Sequence, residues 1–228
     1  MSSPPLHSLH SPHPHPQPSQ PPQPPTQQRH YAAGILPITW HGSTALFLVG
    51  KDLRDESYSD FGGRVERVDE NSPISTAVRE WYEETLGVVL TAKALRTRMH
   101  PSNCLCLRSR TQNGHPYYMY VVEVPFAPHL RNAFHKTLNF LKYRNLHKVY
   151  VEKTDVRWVT LQTMLDDLPK RAVFASTVKQ HRDLLEKIVR RRDSWGPTCI
   201  EHASSHEYYA GIKTRRFGPP DSSSYSTQ

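Results

Sequence analysis

Glu80, Glu83 and Glu84 stand within five residues of one another, preceded by Arg79. On an α-helix successive residues turn by about 100°, so a carboxylate at position i shares a side with those at i+3 and i+4. Ile74, Ala77, Val78 and Trp81 then form an apolar stripe on the adjoining side. Three acids gathered in this way repel one another unless a cation lies between them. Hard divalent ions such as Mg²⁺ or Mn²⁺ take oxygen ligands and bridge carboxylates to substrate phosphates. A solvated charged helix face is the ordinary origin of such a run. The Gly62-Gly63 pair before it and Gly87 after it point instead to a metal site.

Across residues 61–88, FGGRVERVDENSPISTAVREWYEETLGV, the chain resembles the Nudix hydrolases. Their signature reads G-x5-E-x7-R-E-U-x-E-E-x-G-U, with U a bulky aliphatic residue. Gly63, Arg79, Glu80, Trp81 (at U), Glu83, Glu84, Gly87 and Val88 fall into its order. Asp69 stands where the first Glu belongs, the next spacer is two residues longer, and Leu86 is inserted before Gly87. The resemblance covers about residues 30–192 and implies an α/β/α sandwich with a mixed central sheet. It also implies a pyrophosphohydrolase whose ions, Mg²⁺ or Mn²⁺, are held by Glu80, Glu83, Glu84 and the carbonyl of Gly62. Arg79 would orient a neighbouring carboxylate through a bidentate pair, to which guanidinium geometry is suited. For the general base three residues stay open: Glu80 on the helix, Glu152 ahead of Asp155-Val156-Arg157-Trp158-Val159, and Glu123 inside a strand, where facing solvent is the simpler reading.

Substrate contacts are expected from Arg108, Arg110 and Lys148, with Lys142 and Arg144, as a basic rim for phosphate or RNA. Tyr118, among the tyrosines of PYYMYVVEV, is placed to stack on a base, although strand tyrosines more often pack.

The elements that must position these groups follow from pattern. Residues 30–40 and 44–51 read as a hairpin turning at His41-Gly42-Ser43, and a short strand follows around 61–65. The acidic helix is expected over 73–86, capped by Ser72, opened by Pro73 and closed by Gly87. Residues 88–98 read as a strand, 99–114 as a strand ending in a hairpin turn, and 116–124 as the strongest strand in the chain. Leu130, Phe134, Leu138 and Leu141 give 127–146 a helical period, and 147–158 reads as a last strand. A short helix begins at LQTMLDDL, and a single amphipathic helix is expected over 172–192. Periodicity alone gives α/β or α+β.

The chain has 228 residues and a formal net charge of +8, which suits a polyanionic substrate or partner, nucleic acid included. Half of its 20 prolines fall in residues 1–29, a segment without acidic residues that buries too little to fold and reads as a disordered tail. One domain is expected over 30–192 and a second tail over 193–228. Cys104, Cys106 and Cys199 form no C-x-x-C, and no signal-peptide or transmembrane stretch is visible, so an intracellular setting, cytoplasmic or nuclear, is expected. The expected function is hydrolysis of a nucleoside diphosphate linked to another group, with the mRNA-decapping branch of the resembled family as the particular likeness. Diphosphoinositol polyphosphates and dinucleotides compete as substrates. A Nudix-fold RNA- or protein-binding module without catalysis is the reading from another class, and recruitment through the Pro/His segment is an accessory one.

Overall fold

The computed structural model of the protein describes residues 30–100, 104–145 and 151–190. The segments 1–29 and 191–228, with 101–103 and 146–150 and so Pro101, Lys148, Cys199 and the expected ends of the 127–146, 147–158 and 172–192 elements, lie outside the described residues.

Strand β1 (Ala32–His41) is buried at every position but its last and forms the spine of a seven-stranded mixed sheet. Its second half pairs antiparallel with β2 (Thr44–Asp52), in the register Ile38↔Phe47 to His41↔Thr44, through a turn in which Gly42 has φ 61°. Beyond Ile38 the two strands diverge. The segment 58–64 wedges into the gap: β3 (Tyr58–Ser59) pairs with the end of β2, and β4 (Phe61–Arg64) with the start of β1. On the other side of β1, β6 (Pro116–Glu123) runs parallel to it, with β5 (Cys104–Arg110) antiparallel beyond. Strand β7 (Lys153–Val159) pairs antiparallel with β2.

Helices cover both faces, because the strands alternate their apolar side chains between two cores. On one face α1 (Pro73–Glu84), α2 (Ala92–Arg98) and α3 (Leu130–Tyr143) pack over Ala33, Ile35, Leu48 and Phe61. On the other, a π-helical turn (Thr163–Asp167), α4 (Ala172–Gln180) and α5 (Arg182–Arg190) cover Leu36, Phe47, Leu107 and Met119. This is the expected α/β/α sandwich.

Three expected elements differ. Residues 92–98 form a helix rather than a strand: Thr91 Oγ1 accepts the Ala94 N–H at 3.2 Å, and only Leu95 of the helix is buried. Within the described residues the helix expected over 172–192 is two helices, broken at His181, whose Nε2 lies 2.9 Å from the Arg108 carbonyl oxygen. The acidic helix also ends earlier, at Glu84, and the inserted Leu86 is absorbed as a left-handed residue (φ 55°) ahead of Gly87 (φ 67°).

Candidate active site

Helix α1 begins where the sequence punctuates it. Ser72 Oγ accepts the Ser75 N–H at 3.3 Å, and Pro73, which lacks an N–H, costs nothing in the first turn. Trp81 is fully buried, edge-on to Phe61 with ring centroids 5.2 Å apart. Burying aromatic rings contributes about 1.5–3 kcal/mol each, so this contact sets the rotation of the helix over β4. Glu80 and Glu84 are thereby turned inward onto the glycine pair, while Glu83 stays exposed. The Gly62 N–H donates to Glu84 Oε2 at 2.7 Å. The Glu80 carboxylate lies so close over Gly63 that a Cβ there would overlap it.

Arg79 joins the loop to the helix. Its Nε and Nη2 donate to Asp69 Oδ1 and Oδ2, both at 3.0 Å, and Nη1 reaches Glu80 at 2.9 Å and Glu83 at 3.1 Å. Asp69 also accepts the Glu66 N–H and the Thr76 hydroxyl, each at 2.8 Å. Burial would raise its carboxyl, but these donors hold it below the ordinary carboxylate range. Asp69 is thus the orienting partner of Arg79. Its shorter side chain reaches because the longer loop folds back through a 3₁₀ turn (Arg67–Asp69) and two left-handed residues, Glu70 and Asn71.

The opposite electrostatics hold on the inner side of the helix. Burial pushes the Glu80 carboxyl up to about 7, against the pull of Arg79, and the charges of Glu83 and Glu152 add to the rise. Burial drives Glu84 upward too, opposed by Lys153. Lys153 is fully buried, with Nζ 3.1 Å from Glu84 Oε1 and donating to Ser59 Oγ at 2.8 Å. Sequence reading passed over this residue. The signal available was a lysine opening a strand with the pattern of a buried one.

Among the described residues, no three His, Cys, Asp or Glu side chains are gathered as a closed metal-binding cluster. The chemistry of the donors nonetheless fits a hard cation. Glu80 and Glu84 are buried carboxylates raised by desolvation, and Glu83 is adjacent on the same helix.

Of the other expected residues, Glu152 is exposed, and its charge acts on Glu80, while Glu123 faces solvent at the end of β6. Arg110 donates to the Gly114 carbonyl oxygen in the β5–β6 turn, and Arg108 lies over Tyr118 with Cζ 5.9 Å from the ring centroid. Tyr118 meets Tyr31 edge-on, and Tyr31 is reached in turn by the Thr76 hydroxyl at 3.4 Å, so this tyrosine is packing. None of the three lines the cavity of about 550 Å³ that opens beside Gly62 and Gly63. That cavity runs instead between the start of β1, the β5–β6 turn and the first residues of α4.

Comparison with protein-family models and with curated proteins gives no match. Solved structures resemble the chain at low identity. The Nudix domain of Shewanella oneidensis NrtR complexed with ADP ribose is 13% identical over 70% of this chain and 90% of that one, with a TM-score of 0.43. NrtR from the same organism in complex with a 27mer DNA is 14% identical over 69% of this chain, with a TM-score of 0.41, and the match spans 63% of that protein. A C. elegans Ap4A hydrolase is 15% identical over 69% of this chain and 98% of that one, with a TM-score of 0.41.

Proposed function

We propose that the chain is a Nudix-type pyrophosphohydrolase, dependent on Mg²⁺ or Mn²⁺, that cleaves a pyrophosphate bond in a nucleoside diphosphate linked to another moiety. Capped RNA is the particular substrate favoured by the positive charge of +8. The observation that carries the reading is the inward pair Glu80 and Glu84, buried against Gly62 and Gly63. Buried carboxylates held at elevated protonation by desolvation gather at sites that bind cations or move protons.

In the reaction, water attacks one phosphorus and the bond to the leaving phosphate breaks. Glu80, Glu83, Glu84 and the Gly62 carbonyl would hold a divalent ion, which would supply charge neutralisation at the phosphates. The chain's own residues do the rest. Arg79, anchored by Asp69, fixes the Glu80 and Glu83 carboxylates. Glu80, the buried carboxylate over Gly63, is the candidate acceptor of the attacking water's proton, and exposed Glu152 stands as the second. Arg64, next to Gly63 and without an ion-pair partner among the described residues, receives phosphate.

A binding module without catalysis is the second reading. It is favoured by Glu84, whose two oxygens already hold the Gly62 N–H and the Lys153 ammonium. Product release from a panel of dinucleotides, diphosphoinositol polyphosphates and capped RNA, with Mg²⁺ or Mn²⁺, separates the two. Hydrolysis lost in Glu80→Gln and Glu83→Gln supports the enzyme, whereas no turnover by the unaltered protein leaves the module. With capped RNA, release of m7GDP against m7GMP identifies the bond cut.

A further inference from the structure

Asp60 sits where the wedge 58–64 passes from β3 to β4, and it has no part in the chemistry above. It is 3% exposed and lines the cavity beside Gly62 and Gly63. One of its oxygens accepts the Tyr117 hydroxyl. The fold makes room for this carboxylate, since a Cβ on Gly34 would overlap Asp60 Oδ2. A carboxylate oxygen accepts more than one hydrogen bond, so Asp60 can still take donors from a molecule in the cavity.

Two of the cavity's three lysine and arginine side chains are already engaged. Lys170 Nζ donates to the carbonyl oxygens of Leu165 and Leu168 at 2.8 and 2.7 Å, and Arg171 pairs with Asp52 at 3.2 Å. The third, Arg64, follows Gly63 and is the phosphate contact of the hydrolase reading, so a second anion placed here would meet Asp60 with no free cation left for it. At the rim, the His30 and His115 rings lie 5.5 Å apart and tilted by 31°, which gives the opening flat walls. A volume of about 550 Å³ is in the range of small-molecule pockets. Flat walls and a buried acceptor suit a planar group that presents N–H donors.

We propose that this cavity is a nucleobase subsite and that Asp60 selects a guanine-type base, with the diphosphate running over Gly62 and Gly63 to the acidic helix. The inference rests on the hydrolase reading for the direction of the phosphates. A carboxylate only accepts hydrogen bonds. Guanine presents two adjacent donors, N1–H and the N2 amino group. Adenine and cytosine set an acceptor nitrogen beside their amino donor, and uracil flanks its one N–H with two carbonyls. Only the guanine edge meets Asp60 without an opposing lone pair.

The test is equilibrium binding of GMP, IMP, AMP, CMP and UMP to the full 228-residue chain in metal-free buffer, with Asp60→Asn alongside. GMP is expected to bind at least about 10-fold tighter than AMP, CMP or UMP, and tighter than IMP, which lacks the amino group; the margin is that of a hydrogen bond to a charged acceptor. Asp60→Asn should erase the margin. Equal binding of all five, no binding at millimolar concentration, or a guanine preference that survives Asp60→Asn overturns the subsite. If Asp60→Asn fails to fold by circular dichroism, the GMP-to-IMP-to-AMP order on the unaltered protein decides. Metal-dependent hydrolysis without base preference sinks this inference and spares the hydrolase reading. GMP selection without turnover on any pyrophosphate does the reverse.

Discussion

Asp69 and Glu80 are both buried carboxylates bonded to the same guanidinium, and they stand in opposite states. Asp69 receives both forks of Arg79, a backbone N–H and a hydroxyl, and is held firmly ionised. Glu80 receives one N–H of Arg79, lies over a glycine and is pushed to about 7. Burial acts on both, and donors decide between them. The outer pair is an anchor that fixes loop to helix. The inner carboxylate is left short of positive charge, as a site awaiting a cation or a proton must be.

Breaking the inner side should cost function most. Glu80→Gln is expected to lower pyrophosphate hydrolysis by on the order of 10²–10⁴-fold, the range of a lost general base, with little change in melting temperature. Equal turnover would remove Glu80 from the chemistry. Breaking the outer side should cost the fold instead. Asp69→Ala leaves Arg79 without its buried partner and should lower unfolding free energy by about 3–5 kcal/mol in urea titrations.

Gly63→Ala sharpens the contrast, because its Cβ overlaps the Glu80 carboxylate. Overpacking of this kind costs about 1–3 kcal/mol. The same variant should weaken Mn²⁺ binding in isothermal titration while the Asp69–Arg79 pair stays formed. The smallest effect is on pH. A carboxyl raised in the folded state binds protons that the unfolded chain has already lost, so its stabilising share is full below the unfolded value and fades as pH rises through about 7. Metal-free protein should therefore lose stability between pH 5 and 7.5, on the order of 1 kcal/mol per pH unit at most for one such group, and Glu80→Gln should flatten that slope. Asp69, lowered in the folded state, contributes the other sign, lost only as pH falls below the usual carboxylate range.

Much of the acidic helix was legible because its signals are local: a serine cap, a proline at the first position and carboxylates at helical spacing. The β1–β2 hairpin and β6 were legible for the same reason. The misread segment 88–98 opens with Val88-Val89-Leu90, which carries a strand pattern, but Ala92, Lys93, Leu95 and Arg96 are good helix formers that follow a capping threonine. His181 breaks the last helix through a contact with Arg108, 73 residues earlier. Lys153 meets Glu84, and Asp60 meets Tyr117, across 69 and 57 positions of chain. Pairings at such separations leave no periodic trace, so side chains essential to the site's electrostatics surfaced only with the fold. The basic residues Arg108 and Arg110 were chosen for charge alone, and the structure spends them on a tyrosine ring and a turn carbonyl.

Gly34 touches both halves of this molecule at once. From the start of β1 it lies against the Asp60 carboxylate on one hand and the backbone of Phe61 and Gly62 on the other. A methyl group there would disturb the cavity floor and the glycine turn in one stroke. Whoever sets out to retune what the cavity accepts, leaving the acidic helix as it is, must therefore work through Asp60, Tyr117 or the rim histidines and keep residue 34 bare.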